Sequence, residues 1–221
     1  DCAALRSVSF TGLRKVLVSY RRFPQYSALE ALANSAGIQL PLILIATLAV
    51  GEEAGFVLLA TRVLGTPVAL IGNATAQVYL SRAPDELRKG NLGKFTRDTL
   101  KGLAKISVVP ILLIAVTAPF AFELVFGQEW GRAGELVAWM SPWFLFRLLS
   151  SPVSMVMHVK MLQKIMLALT IGGLILRVGA VLLAYYFNGG LITEAYAISS
   201  ALFYFFLFFV FSFYSGAFQK K

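Results

Sequence analysis

Apolar residues in this chain run in long continuous stretches rather than in short alternating ones. Six such stretches stand out, at about 27–49, 54–82, 100–118, 133–157, 163–187 and 192–216. A membrane-spanning helix needs roughly 20 predominantly apolar residues, whereas a transmembrane strand would show about ten alternating ones. The pattern therefore predicts an all-α, polytopic membrane protein built as a six-helix bundle. Polar residues inside the stretches are not scattered. In AGFVLLATRVLGTPVALIGNATAQVYLSR (54–82), Arg62 and Asn73 are eleven positions apart. Eleven steps of about 100° make three full turns, so both point the same way. Thr66 and Gln77 fall near that direction with Ala69 and Ala76 between them, and Leu64, Val68, Ile71 and Val78 fill the other side. A span with a polar, small-residue front needs a polar environment to face.

Other spans repeat the pattern. Glu30, Asn34, Gly37 and Pro41 share a face of the first, while Gln39 points elsewhere. Trp143, Arg147, Ser151, Ser154 and His158 share one on the fourth, and Gln163, Thr170, Gly173, Arg177 and Asn188 on the fifth. Four helices with polar stripes predict a bundle around a hydrated cavity. The last span, with FYFFLFFVFSF (203–213), has almost no polar atoms and is expected to face lipid.

Composition agrees with the class. Of 221 residues 58% are hydrophobic, above the roughly 45–50% of soluble domains, and 18 are phenylalanine. Mean hydropathy is +0.74. The net charge of +9 would raise nucleic acid as a partner in a soluble protein. Here its distribution speaks for topology instead. Segment 1–26 reads as a basic interfacial segment ending near Pro24, and 82–99 as a basic linker continuing as a surface helix to Lys105. With Lys160, Lys164 and a short tail at 217–221, one side collects 16 of the 20 basic residues, and the other holds only Arg132 among several glutamates. The positive-inside rule then predicts cytoplasmic termini. Such a linker anchors to lipid headgroups, with no substrate contact expected there. The chain begins at Asp1 with no cleavable signal pattern and is read as a fragment; Cys2 alone allows no intrachain disulfide.

Three arginines remain, Arg62, Arg147 and Arg177, all inside spans. Insertion of a central arginine costs about 2.5–3.5 kcal/mol, so the three together cost roughly 8–10 kcal/mol. With Glu135 and Glu194 set aside at the outer starts of their spans, Glu30 is the one acid inside the spans. It could pair with Arg62 in a purely structural contact, but it cannot neutralise three cations. The expected cavity lining is Arg62, Arg147, Arg177, Asn73, Gln77, Glu30, Asn34, Ser151 and Thr170, with His158 an interfacial residue rather than a proton carrier. Pro41, Pro67, Pro110, Pro142 and Pro152 lie within spans, where breaks are tolerated beside cavities or hinges. One His and one Cys rule out a His/Cys metal cluster, and neither a phosphate-binding glycine loop nor a nucleophile elbow is present. Neither enzymatic activity nor a cofactor is expected.

An ordered series of residues carries a family likeness. Pro24-Gln25-Tyr26-Ser27, Gln39-Leu40-Pro41, Gly51, Ala54-Gly55, Arg62-Val63-Leu64, Pro67, Leu70-Ile71-Gly72, Gln77-Val78, Phe126-Gly127-Gln128-Glu129-Trp130, Ala133-Gly134, Pro142-Trp143 and Pro152 together resemble the Wzx-type polysaccharide flippases. These belong to the multidrug/oligosaccharidyl-lipid/polysaccharide exporter superfamily. The resemblance runs from about residue 20 to nearly the end and implies the C-terminal six-helix lobe of a two-lobe transporter, its N-terminal lobe absent from this sequence. It implies flipping of undecaprenyl-pyrophosphate-linked oligosaccharide across the bacterial inner membrane by alternating access, for polysaccharide or lipopolysaccharide (O-antigen) biosynthesis. Membrane lipids and the other lobe would be the partners, and Arg62, Arg147 and Arg177 the candidates to meet the pyrophosphate. Two other readings stand beside it. A drug/cation antiporter of the same superfamily would want acids in the cavity. A non-transporting scaffold of a polysaccharide assembly complex would need no lining at all.

Overall fold

The structure, a computed structural model, describes residues 22–49 and 51–218. Six long helices follow one another: α1 (Arg22–Leu48), α2 (Glu53–Arg88), α3 (Leu92–Phe126), α4 (Gly131–Val159), α5 (Gln163–Asn188) and α6 (Ile192–Ser215). Single turns of 3₁₀ helix at Gln128–Trp130 and Gly189–Leu191 lead into α4 and α6, and the described residues contain no strand. The fold is all-α, as the continuous apolar runs require. Each proline within a span sits inside an unbroken helix.

Five of the helices are long and apolar enough to cross a membrane. The sixth, α4, has the length, at 29 residues, but its apolar run is interrupted by Ser141, Arg147, Ser150, Ser151 and Ser154. Its place explains this: α4 is the hub, packed against α2, α3 and α6. A helix whose neighbours are other helices can carry Ser141, Ser150 and Arg147 without exposing them to lipid. Packing of α2 on α4 uses Val57, Ala60, Leu64, Val68, Gly72, Ala76, Tyr79 and Ala83, a buried stripe at three- and four-residue spacing. Small residues allow the approach: a Cβ at Gly72 would lie only 3.0 Å from Ser151 Oγ. Leu64 and Val68 thus sit on the packed side, while Ile71 and Val78, expected with them, are exposed.

α1 and α5 form a second pair, joined to the hub mainly through α6. α1 and α2 touch only sparsely, so the bundle parts between them.

Several expectations need correction. The linker 82–99 is not a separate surface element. Instead α2 and α3 run on as helices of 36 and 35 residues joined by a tight turn at Lys89–Asn91. At 1.5 Å per residue each is about 50 Å long, beyond the roughly 30 Å of a hydrocarbon core. Tyr79 and Thr96, hydroxyl to hydroxyl at 2.6 Å, and the Tyr79–Phe95 ring stack at 5.2 Å clamp the two extensions together. α3 also continues to Phe126, beyond the apolar stretch expected to end near residue 118. Of the basic segment 1–26, residues 1–21 lie outside the described residues, and from Arg22 the chain is already α1, with Pro24 in its first turn, where a missing N–H is tolerated. Lastly, α6 does not simply face lipid. Phe203, Tyr204, Leu207 and Phe211 are buried while Phe205, Phe206, Phe209 and Phe213 are exposed. An almost wholly apolar helix carries little polar contrast to mark its inner side.

Each end of the bundle is tied by charge. At the acidic end Arg132 meets Glu53 (2.8 Å), Glu194 (2.5 Å) and Glu135 (3.1 Å), linking the starts of α2, α6 and α4. Desolvation works against the guanidinium's charge, but the hydrogen bonds to Glu53, Glu194 and Glu135 hold its pKa above the ordinary arginine value. At the basic end Lys160 Nζ donates to Tyr214 O (2.6 Å) and Arg97 Nε to Ala217 O (2.8 Å), satisfying carbonyls where α6 stops.

Candidate functional site

Where α1 and α2 part, a cavity of about 240 Å³ opens against α4, α5 and α6. Its polar lining includes Glu30 and Asn34 from α1, Asn73 from α2, Arg147, Ser150, Ser151 and Ser154 from α4, Thr170 from α5 and Tyr204 from α6. Helical period accounts for each. Glu30 and Asn34 are one turn apart, as are Arg147 and Ser151, so each pair presents to one side. Thr170 Oγ1 donates to Glu30 Oε1 at 3.2 Å, tying α5 to α1 across the floor. Six of the nine expected residues therefore share one cavity.

Arg147 occupies the centre of the arrangement. It also lines two adjoining cavities, of about 360 and 270 Å³, and Arg62 lines both of these. No carboxylate pairs with Arg62 or Arg147 among the described residues, and the structural Arg62–Glu30 pair is not formed. Nearest to a partner for Arg147 is its own helix's Phe144 ring, with Cζ 5.9 Å from the centroid.

Arg177 is in a different position from the one expected. It does not line the central cavity but is fully buried in the wall behind it, between α1, α5 and α6. Its Nε donates to Gly173 O (2.9 Å), one turn back, and its Cζ lies 4.9 Å from the centre of the Phe203 ring. Gly37 of α1 leaves it room, since a Cβ there would be 2.5 Å from a terminal guanidinium nitrogen. The helical period aligned Arg177 with Thr170, but it could not say that α1 would shut Arg177 into the wall while Thr170, bonded to Glu30 of α1, still lines the cavity. Gln77, exposed on α2, lines none of these cavities.

Reading the sequence alone missed the α6 side. Phe203, Tyr204, Leu207 and Phe211 complete the central cavity. A signal for it existed: Tyr196, Ser200 and Tyr204 recur every fourth residue along α6.

These features define a multi-pass helical membrane protein with adjoining polar cavities between its helices, lined by Arg62, Arg147 and Glu30. The chain belongs to a family of polysaccharide biosynthesis proteins, whose match covers residues 5–135, more than half of the sequence. Glu30, Asn34, Arg62, Asn73 and Gln77 fall inside the matched region, whereas Arg147, Ser151, Thr170 and Arg177 lie beyond it. No curated protein and no solved structure matches the chain.

Proposed function

We propose that this protein exports lipid-linked oligosaccharide for polysaccharide assembly, flipping an undecaprenyl-pyrophosphate-linked glycan across the bacterial inner membrane as one six-helix lobe of a two-lobe, alternating-access transporter. One observation carries the reading: Arg147, at the meeting point of three cavities, forms no ion pair among the described residues, and the one carboxylate that shares a cavity with it, Glu30, is hydrogen-bonded to Thr170. A pyrophosphate supplies the missing negative charge, and a guanidinium donates paired hydrogen bonds to its oxygens. Arg62 extends the cationic surface along α2, while Asn34, Asn73, Ser151 and Thr170 supply hydroxyl and amide contacts suited to the first sugar. In this reading the basic end of the bundle is cytoplasmic, and α1 and α2 part toward the second lobe. Glu30 already accepts a hydrogen bond from Thr170, and a single carboxylate beside Arg147 makes a poor site for a cationic drug.

The test is export in cells with Arg147 replaced. Arg147→Ala should abolish delivery of glycan to the outer face, with normal membrane levels of protein and lipid-linked oligosaccharide retained in the inner leaflet. Arg147→Lys should keep part of the activity, because charge survives while the planar fork is lost. A well-expressed Arg147→Ala protein exporting at the wild-type rate would remove the basis for this reading.

A further inference from the structure

Arg177 raises a question that substrate binding in the central cavity does not answer. Its two terminal nitrogens, Nη1 and Nη2, are buried and make no hydrogen bond of good geometry among the described residues, with the Tyr204 side chain the nearest polar group that could accept one. Nearby, the Trp143 indole N–H, the Tyr196 hydroxyl and the Ser200 hydroxyl are buried and unpartnered as well. These residues occupy adjoining positions. Arg177 and Phe203 each lie eleven residues from the acidic ends of α5 and α6, and Trp143 twelve from that of α4, so all three sit at about the same depth. Trp143 packs on Tyr196 (5.1 Å between ring centres) and on Tyr204 (6.5 Å), and Tyr196, Tyr204 and Arg147 are the polar neighbours of Arg177.

The composition of this cluster is one-sided. The guanidinium and the indole can only donate hydrogen bonds, and the hydroxyls are free to donate. No carboxylate stands among them. On α1, Glu30 is seven residues from Gly37, about 10 Å along the axis, and it is bonded to Thr170. On α6, Glu194 is bonded to Arg132 at the acidic end. A buried charge without a counterion is far more costly than a buried neutral donor, because desolvation penalises the ion itself. A water molecule would accept hydrogen bonds here but would leave the charge uncompensated. An anion does both.

We propose that Arg177, Tyr196 and Trp143 form a binding site for a small monovalent anion of halide size, separate from the central cavity. The route to it is the adjoining 270 Å³ cavity, whose wall mixes polar Gln39, Thr61, Arg62 and Arg147 with apolar residues and includes both Trp143 and Tyr196. One buried guanidinium with a few single donors balances one charge, whereas phosphate would bring more charge and more tightly held water than these groups replace. Bound there, the anion would lock α5 to α4 and α6 and hold Arg177 behind the wall that Gly37 closes.

The experiment is thermal unfolding of the purified protein in nanodiscs of uncharged lipid, in sodium chloride or bromide against sodium gluconate at constant ionic strength. A halide that binds the folded state raises the transition saturably with concentration. Tyr196→Phe removes one donor and little volume, and should weaken the apparent halide affinity roughly tenfold, the scale of one hydrogen bond to a charged group. Arg177→Gln should abolish the halide effect; should that variant fail to fold, Tyr196→Phe still decides. Inorganic pyrophosphate serves as the second probe, and its effect should survive in Tyr196→Phe. Identical transitions in chloride and gluconate would overturn the proposal, as would a halide effect untouched by Tyr196→Phe. Joint loss of the halide and pyrophosphate effects in that variant would also overturn it, by making the cluster part of the central cavity.

Discussion

Arg62, Arg147, Arg177 and Arg132 carry the same side chain and meet four different environments. Arg132, at the acidic end, is held by three carboxylates. Arg147 and Arg62 look into cavities, and Arg177 is sealed in the wall. Only Arg132 has a mainly structural reading, because its charge is matched. Arg132→Ala would leave Glu53, Glu135 and Glu194 facing one another at the joint between α2, α4 and α6. Because the site is partly open to solvent, the loss should be modest, about 1–2 kcal/mol, seen as a lower unfolding temperature in detergent. High salt should lower the wild-type transition more than that of the variant, because screening weakens the ion pairs that only the wild type retains. Equal stability of the two proteins at low salt would show that the cluster contributes nothing.

At the scale of the helix, α2 shows how far a stripe can be trusted. Leu64 and Val68 are buried against α4, Asn73 lines two cavities, and Ile71 is exposed away from them. With Cys2 replaced by serine, Asn73→Cys should react with a water-soluble maleimide in membranes. Ile71→Cys should resist it, because a thiol facing lipid forms little thiolate. Equal labelling at the two positions, or none at either, would return the stripe to ordinary helix packing. α6 teaches the converse. Its aromatic run hides an inner face, Phe203, Tyr204, Leu207 and Phe211, that polarity alone did not mark. Ring contacts of Trp143 with Tyr196 (5.1 Å) and Tyr204 (6.5 Å) fix which side turns inward, and those depend on α4.

Taken as a whole, the molecule separates charge along its axis. Arg97, Lys160 and the α2–α3 turn lie at one end, and the Arg132 cluster with the Phe56–Trp130 aromatic contact at the other. If the basic end is cytoplasmic, Gln128→Cys should be labelled from outside intact cells by an impermeant thiol reagent, and Asn91→Cys only after the cells are broken. The reverse pattern would invert the bundle and the direction of transport proposed for it.

Sequence alone determined the class, the number of long helices and most of their limits, because apolar run length and helix breakers are local properties. It also put Glu30 with Asn34 and Arg147 with Ser151, since residues one helical turn apart share a face in any packing; the packing of the helices then gathered six of the nine expected residues round one cavity. Periodicity says which residues travel together, but not how far apart two helices stand. Only the tertiary structure decided that α1 lies close on α5, burying Arg177 behind Gly37, and stands off from α2, opening the cavity around Arg147. It likewise decided that α2 and α3 continue as helices of 36 and 35 residues, longer than a bilayer core requires, and that α6 has an inner side. Each of these is set by pairs of residues distant in the chain, where small side chains such as Gly37 and Gly72 allow one helix to approach another.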